Sequence, residues 1–246
     1  VQHHLPPNVL LMDAGTHRLP GLLGAVRLFH ALPESLEERD FPPLSSMNHV
    51  RTNLPRPSNE LLGREGDIEA LSELLGLGVR VVSLTGAPGL GRSNLLRAFA
   101  WKVREAYRPD GGVWYVSAGR AGNATKFVAR AGEALDHPLV LGKSTSHSVR
   151  QVGRALAARR RVRVLIDGFV NDRETIDVLA TWLEQAPKAR LVVVASSRLG
   201  LPGEVVYQLD PLPVEDHGPA TALLRDRVKT LHGDVELDDE DVLALV

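Results

Sequence analysis

The stretch 79–97, VRVVSLTGAPGLGRSNLLR, decides the fold of this 246-residue chain. It begins with an apolar, β-branched run, 79–84, of the kind that forms a buried parallel strand. The run stops at the turn 86–91, whose glycines tolerate unusual backbone angles. An amphipathic helix is predicted to follow, and its apolar positions are Leu95, Leu96, Phe99, Ala100 and Val103. Strand, glycine loop and helix in this order predict a cradle in which backbone N–H groups and a helix N-terminus face one anion.

The loop has the spacing G-x4-G-x-S, which is that of a phosphate-binding P-loop (the Walker A pattern) with one substitution. Arg92 stands where the pattern has lysine, and Ser93 stands where the pattern has the hydroxyl that holds Mg²⁺. The alternative is a glycine-rich turn between strand and helix that binds nothing. The predicted phosphate-binding residues are Gly86, Ala87, Gly89, Leu90, Gly91, Arg92, Ser93 and Asn94.

The composition and net charge of the chain argue against several classes of function. The chain is 43% hydrophobic and 24% charged, as globular proteins are, and its net charge of −1 gives no overall attraction to nucleic acid or to a membrane surface. The arginine-rich run 159–163 is predicted to end a helix before a buried strand rather than to bind nucleic acid. The chain has no cysteine, which excludes disulfides and thiolate metal sites and favours a reducing, cytoplasmic location. No apolar run is long enough to span a membrane, so we expect no membrane partner.

The N-terminal part of the chain divides into two predicted segments. Residues 1–40 carry two short apolar runs, 9–12 and 26–29, which are predicted to be strands on either side of a turn. Two short strands cannot bury a core of their own, so we expect them to belong to a larger sheet; the alternative is an irregular extension. Residues 41–58 hold four prolines and several polar turn formers, which predicts an extended linker.

The rest of the chain also divides into two segments. In 59–213, apolar runs alternate with stretches of helical periodicity. This alternation predicts an α/β fold, a three-layer sandwich around a mostly parallel five-stranded sheet. Residues 214–246 are predicted to begin a helical domain. Because the chain starts with Val and stops inside an apolar helical pattern, we expect it to be a fragment of a longer protein.

Two further strand ends are predicted to carry chemistry. Ligands bind outside the carboxyl ends of the strands in an open parallel sheet. Asp167 ends the apolar run 162–166, which is the Walker B arrangement of a carboxylate that helps to hold Mg²⁺, although strands also end in Asp as a helix cap. Arg198 follows the run 191–195 and offers a cationic fork for a terminal phosphate, or is simply an exposed loop arginine.

Together these features resemble the STAND class of P-loop ATPases, related to NB-ARC domains. The series NLPRPSNELLGRE, the Walker loop, GVWYVSAG, VLIDGF and ASSRLGLPGEVVYQLDPLP carries the resemblance over residues 53–213. The resemblance implies that Leu62 and Arg64 lie against adenine and that Ser197 and Arg198 act as a phosphate sensor. It also implies ATP or ADP with Mg²⁺ as cofactors, catalytic roles for Asp167 and Arg92, and an oligomer that depends on nucleotide.

The first 40 residues resemble a different family. MDAGTHRLPGLLGAVRLFHAL, followed by FPPL and NLP, is similar to the C-terminal end of a class III nucleotidyl cyclase domain. In that family the metal ligands lie upstream of this tail, so no cyclase residue is assigned here and no cyclase activity is expected. A cyclase tail joined to a STAND ATPase is typical of bacterial multidomain regulators. The partners this implies are an upstream cyclase domain and downstream helical and DNA-binding domains of the same protein.

The sequence departs from the STAND pattern at positions that matter for hydrolysis. Arginine is longer than lysine and planar, so Arg92 keeps the charge without occupying the same place. The acids expected after Asp167 are replaced by Gly168 and Val170, and the next acidic residue is Asp172. Three hypotheses follow: a nucleotide-binding switch with little or no turnover, a working ATPase, and a degenerate scaffold for protein–protein contacts that binds no nucleotide.

Overall fold

The apolar runs near the N-terminus form a hairpin. The computed structural model describes residues 8–18, 25–33, 52–57, 61–107, 111–119, 123–140, 143–159, 161–215, 218–232 and 242. Strands β1 (Val9–Arg18) and β2 (Ala25–Pro33) pair antiparallel, with a bulge between Asp13 and Gly15. Both strands are longer than predicted, and in the described part of the chain they form a two-stranded sheet. The turn predicted at 15–21 was wrong over its first half, because residues 15–18 belong to β1. Residues 19–21 and most of the predicted linker lie outside the described residues.

Five further strands form the central sheet. They are β3 (Val81–Thr85), β4 (Val113–Ser117), β5 (Arg163–Asp167), β6 (Arg190–Val194) and β7 (Glu204–Gln208). Their order is β4-β5-β6-β3-β7, and every neighbouring pair is parallel. Strands β3 and β5 lie inside the sheet and are buried at every position, and most of their residues are apolar. Their buried polar residues are Ser83, Thr85, Arg163 and Asp167. The predicted fold class, a five-stranded α/β sandwich, is confirmed.

The described residues form six helices. They are α1 (Glu65–Gly76), α2 (Arg92–Tyr107), α3 (Ala124–Ala134), α4 (Thr145–Ala158), α5 (Arg173–Gln185) and α6 (Pro219–His232). The side chains of Asn123, Ser144 and Asp172 cap the N-termini of α3, α4 and α5 by accepting backbone N–H groups. Helical periodicity predicts starts at about residues 124, 146 and 173, and these caps explain why the three helices begin within one residue of those positions.

Helix α1 begins later than its periodicity predicts. The sequence favours a start at residue 59 or 60, whereas the helix starts at Glu65. Gly63 has a φ of 68°, a left-handed conformation that interrupts a helix, and a Cβ on it would lie 2.2 Å from Cβ of Pro219. Close packing against the first turn of α6 therefore fixes this bend.

Helices on the two faces of the sheet bury separate cores. Phe127 of α3 and Trp182 of α5 pack with their ring centroids 5.3 Å apart on one face. On the other face, α1 and α2 cover alternate residues of the same strands through Leu71, Leu75, Leu95, Leu96 and Phe99. Helix α2 is thus packed on this face of the sheet, and its N-terminus directly follows the glycine loop.

The arginine-rich run is largely structural where it is described. Arg159 donates to the carbonyl oxygens of Ala155 and Leu135, and its guanidinium lies over the ring of Trp114. Burial lowers the pKa of Arg159 to about 10. Arg163 is 2% exposed and lies over the ring of Tyr107. These two cations belong to the packing between helix ends and strands rather than to a solvent-facing patch.

The end of the predicted linker is docked on the edge of the sheet. Asn53 donates from Nδ2 to the carbonyl oxygen of Tyr115 and accepts its backbone N–H at Oδ1, both at 2.7 Å. Trp101 of α2 donates from Nε1 to the carbonyl oxygen of Pro55 at 2.5 Å. A single amide side chain therefore satisfies both polar groups of an edge-strand residue.

Glu204, at the start of β7, ties the loop after β6 to the middle of the sheet. Its side chain is 0% exposed and accepts from the Ser83 hydroxyl at 2.6 Å. It also accepts the backbone N–H groups of Leu199, Gly200 and Leu201 at 2.7, 2.7 and 3.1 Å. Burial by itself raises the pKa of Glu204, but these hydrogen bonds outweigh it and hold the pKa below its usual value.

We predict that Glu204→Gln lowers the free energy of unfolding at pH 7 by about 2 kcal/mol, because hydrogen bonds to a charged acceptor are lost. A lowered pKa in the folded state gives stability that is present above the unfolded value near 4.5 and is lost as pH falls through the folded pKa. The difference between variant and parent should therefore shrink between pH 7 and pH 3 in urea denaturation. Glu69→Gln, on the exposed surface of α1, is the matched control. A difference that is independent of pH would contradict this role.

Candidate functional site

The loop between β3 and α2 has the backbone shape that a phosphate cradle needs. Gly86 has a φ of 140° and Gly91 a φ of 84°, values that side-chain-bearing residues rarely adopt. A Cβ on Gly86 would lie 2.7 Å from the carbonyl oxygen of Leu209, so this glycine is also required by space. At Gly91 a Cβ would meet no atom within 4 Å, which leaves the surface above the loop open.

Ser93 and Asp167 meet although they come from strands that are not neighbours. Ser93 lies in the first turn of α2, which follows β3, and Asp167 ends β5, with β6 lying between the two strands. The Ser93 hydroxyl donates to Oδ1 of Asp167 at 2.7 Å. The structure thus brings together the two side chains that the sequence predicts as metal ligands.

Two residues that the sequence analysis did not single out complete this cluster. The Tyr115 hydroxyl donates to Oδ2 of Asp167 at 2.5 Å, and burial followed by this hydrogen bond raises the pKa of Tyr115. The Arg97 guanidinium lies 3.7 Å from the same oxygen and over the Tyr115 ring, 5.8 Å from its centroid. Sequence spacing carries a signal for both residues. Tyr115 lies two positions before Ser117, the register partner of Asp167, and Arg97 lies one turn after Ser93.

Arg92, the residue in the lysine position, turns toward the carboxyl edge of the sheet. It donates from a terminal guanidinium nitrogen to the carbonyl oxygen of Ala195 at 2.7 Å, just beyond β6. Its charge therefore lies beside the loop but is held by a backbone acceptor. The longer side chain of arginine makes this contact possible.

The residues expected at adenine line a cavity next to the loop. The cavity has a volume of about 200 Å³ and is lined by Pro57, Leu61, Leu62, Arg64, Gly89, Leu90, Gly91, Asn94, Arg97, Leu212, Leu223 and Arg227. Arg64 is 7% exposed and donates to the carbonyl oxygens of Asp210 and Leu90 at 2.8 and 3.4 Å. It also contacts Asp67 at 3.2 Å. Arg64 therefore supports the back of the loop, while leucines and a proline supply apolar surface.

The predicted phosphate sensor lies on the other side of the loop. Ser197 and Arg198 line a second cavity of about 350 Å³ together with Thr85, Gly86, Ala87, Ser196, Val206 and Gln208. The Arg198 side chain is 71% exposed and contacts Glu204 at 3.7 Å. Asn171, which the sequence analysis did not consider, donates to the carbonyl and hydroxyl oxygens of Ser197 at 2.9 and 3.2 Å. The predicted adenine residues and the predicted phosphate sensor thus line two different cavities, whereas Arg92, Ser93 and Asp167 line neither of them.

Asp172 does not face this site as a free carboxylate. Its Oδ1 accepts the backbone N–H of Thr175 at 2.9 Å and caps α5. Gly168, directly after Asp167, has a φ of 70°, so a side chain at this position would strain the backbone. Among the described residues, no group of three or more His, Asp or Glu side chains forms a metal site. Asp167 is therefore the acidic residue that the geometry places beneath the loop.

Comparison with known proteins gives a likeness in structure alone. No protein-family model matches the chain, and neither does any curated protein sequence. Cdc6p from Pyrobaculum aerophilum superposes with a TM-score of 0.56 at 19% identity, over 76% of this chain and 55% of that one. The Aeropyrum pernix ORC2 protein, in ADPNP–ADP complexes, gives 0.54 at 19% identity, over 74% and 55%. The Aeropyrum pernix ORC1 protein, in complex with DNA, gives 0.52 at 18% identity, over 70% and 49%.

These likenesses show the fold. The chain spans about half the length of each of the three proteins, at sequence identities that carry no activity or partner with them. Within the part of the chain that the structure describes, no helix combines the length and apolar character that crossing a bilayer requires. What the sheet order, the loop and the superpositions establish together is an α/β domain with the fold of the P-loop ATPases.

Proposed function

We propose that this chain is an ADP- or ATP-binding switch module of STAND type within a larger bacterial regulator, with weak or no hydrolysis. The observation that carries the proposal is the 2.7 Å hydrogen bond between Ser93 and Asp167 beneath a glycine loop of positive φ. A turn that bound nothing would have no need to bring these two side chains together across an intervening strand. The series of STAND-like motifs over 53–213 supports the finer assignment.

The two parts of an adenine nucleotide have separate places in this proposal. The phosphates lie on the loop, where backbone N–H groups and the N-terminus of α2 attract negative charge. The base lies in the 200 Å³ cavity, against Leu62 and the apolar surface around it. Ser197 and Arg198 face the loop from the second cavity, where a terminal phosphate of ATP but not of ADP would come closest. Discrimination between ATP and ADP would then depend on the exposed Arg198.

Ser93 and Asp167 are the residues that would hold Mg²⁺. A hydroxyl and a carboxylate are oxygen ligands of the kind that Mg²⁺ takes, and the metal usually completes its shell with waters and nucleotide phosphates. The donor atoms therefore fit the metal in kind, although Oδ2 of Asp167 is already contacted by Tyr115 and Arg97. Bound there, Mg²⁺ would supply positive charge to the phosphates.

Slow turnover follows from the positions of two residues. Phosphoryl transfer requires charge placed against the transferred phosphate, and Arg92 instead donates to the carbonyl oxygen of Ala195. The neighbours of Asp167 offer no carboxylate to orient water, because Gly168 has none and Asp172 caps α5. Binding should therefore be less impaired than hydrolysis. An active ATPase and a scaffold that binds no nucleotide are the outcomes against which the proposal is tested.

The proposal also covers the parent protein. The hairpin β1–β2 and the sequence of residues 1–40 support a cyclase-like domain upstream, without cyclase activity in this chain. We propose helical and DNA-binding domains downstream, assembly that depends on nucleotide, and a cytoplasmic location. Conversion of ATP to cyclic AMP by the purified chain would contradict the proposed absence of cyclase activity.

The first prediction is that Gly91→Val abolishes stabilisation by ADP. Valine at a φ of 84° distorts the loop where its backbone must approach phosphate. Gly78→Val is the matched control, because Gly78 has a φ of 97°, equally open space and a position in the turn after α1. Both variants should lose about 1–2 kcal/mol of stability, whereas ADP at a hundred times its Kd should add about 2.7 kcal/mol to the parent and the control alone. A parent protein that millimolar ADP does not stabilise would favour the scaffold.

The second prediction concerns turnover. The parent should hydrolyse ATP far more slowly than about 1 s⁻¹, the lower end for ordinary enzymes, and Arg92→Lys should recover only part of the deficit. Adding Gly168→Asp to Arg92→Lys should increase the rate further despite backbone strain at that position. Gly168→Asn in the same background shares the strain but lacks the carboxylate, and is the matched control. Phosphate release in single-turnover assays measures these rates; rapid hydrolysis by the parent would establish an active ATPase.

A further inference from the structure

Asp167 is the most heavily contacted carboxylate beside the loop. Its Oδ1 accepts the Ser93 hydroxyl at 2.7 Å, and its Oδ2 accepts the Tyr115 hydroxyl at 2.5 Å. The guanidinium of Arg97 lies 3.7 Å from Oδ2, and the Asp167 side chain is only 12% exposed. One positive charge and two hydroxyl donors thus neutralise and solvate this carboxylate within the protein.

On the basis of the proposed nucleotide site, we propose that Arg97 and Tyr115 contact the Asp167 carboxylate in place of Mg²⁺. Adenine nucleotide then binds with nearly the same affinity with and without the metal. The ordinary role of this carboxylate in a P-loop is to help to hold Mg²⁺. Here a metal would have to displace the tyrosine hydroxyl and an arginine from a nearly buried oxygen. The Arg97 side chain is 32% exposed and that of Asp167 is 12% exposed, so separating this pair leaves the carboxylate, rather than the guanidinium, with little access to water.

Arg97 is placed to serve the phosphates as well as Asp167. It lies on α2 one turn beyond Ser93, and it lines the 200 Å³ cavity together with Gly89, Gly91 and Asn94. Besides Asp167, it contacts the Asn94 side-chain oxygen at 3.4 Å and the face of Tyr115. A guanidinium has five N–H donors in a fixed plane, so it can contact a carboxylate and a phosphate at once. The charge that Mg²⁺ brings to the phosphates is then partly supplied by the helix itself.

Tyr115 holds this arrangement in place. Its ring lies beneath Arg97 and its hydroxyl fixes Oδ2, while its backbone belongs to β4. Tyr115 is therefore a positioning residue, and Arg97 is the group that replaces the metal.

The test is the affinity for ADP and for ATP by isothermal titration calorimetry, in excess Mg²⁺ and in EDTA. For the parent we expect the two Kd values to agree within about twofold for each nucleotide. Arg97→Met should weaken binding in EDTA by at least about tenfold and should regain most of it in Mg²⁺, which can then reach Asp167. Tyr115→Phe, which keeps the ring but frees Oδ2, should bind more tightly in Mg²⁺ than in EDTA. Lys102→Met, an exposed cation on the same helix, is the matched control and should behave as the parent.

The outcomes separate this inference from the proposed function. A parent that binds nucleotide only in Mg²⁺ overturns the inference and leaves the nucleotide site standing. An Arg97→Met variant that is folded by circular dichroism and remains indifferent to Mg²⁺ overturns it as well. A parent that binds nucleotide in neither condition overturns both proposals.

Discussion

The parallel arrangement of all five central strands is the constraint on which this structure depends. Parallel strands end at the same edge of a sheet, so loops that are far apart in the chain meet there. The ends of β3, β5 and β6 bring together the glycine loop, Asp167 and Ala195. Strand β6 separates the other two and contributes the backbone acceptor that holds Arg92. The hydrogen bond from Ser93 to Asp167 closes this arrangement over the intervening strand.

Each arginine of the site already has an acceptor from the protein. Arg92 donates to a backbone carbonyl, Arg97 faces Asp167, and Arg64 faces Asp67 and two carbonyl oxygens. Pairing these cations in advance reduces the cost of burying charge, but it also weakens the field that a transferred phosphate would experience. This pairing is the physical basis of the proposal that the site holds a nucleotide rather than reacting with it. The same reasoning explains why replacing lysine with arginine is less conservative than the shared charge implies.

The fold and part of the site follow from the sequence because they depend on local patterns. Apolar runs placed the five strands of the central sheet to within two residues, and helical periodicity placed the starts of α3, α4 and α5. Contacts between distant segments were not predictable in this way. The start of α1 depends on Gly63 packing against Pro219, and the role of Asp172 depends on whether its carboxylate is free or capping. Asn171 was not predicted because a loop gives no sign of which polar atom a side chain will meet. The contact of Tyr115 with Asp167 depends on the register between β4 and β5, which only the structure fixes.

Tyr115 connects the segment before the domain to the centre of the site. Its backbone N–H and carbonyl groups pair with Asn53, and its hydroxyl donates to Asp167. Because Asn53 stands where another strand would pair, moving residues 52–57 away would leave both backbone groups of Tyr115 dependent on water. Tyr115 contacts Asn53 through its backbone and Asp167 through its hydroxyl, so one residue joins the docked end of the linker to the carboxylate. The docked end of the linker is therefore part of the support of Asp167.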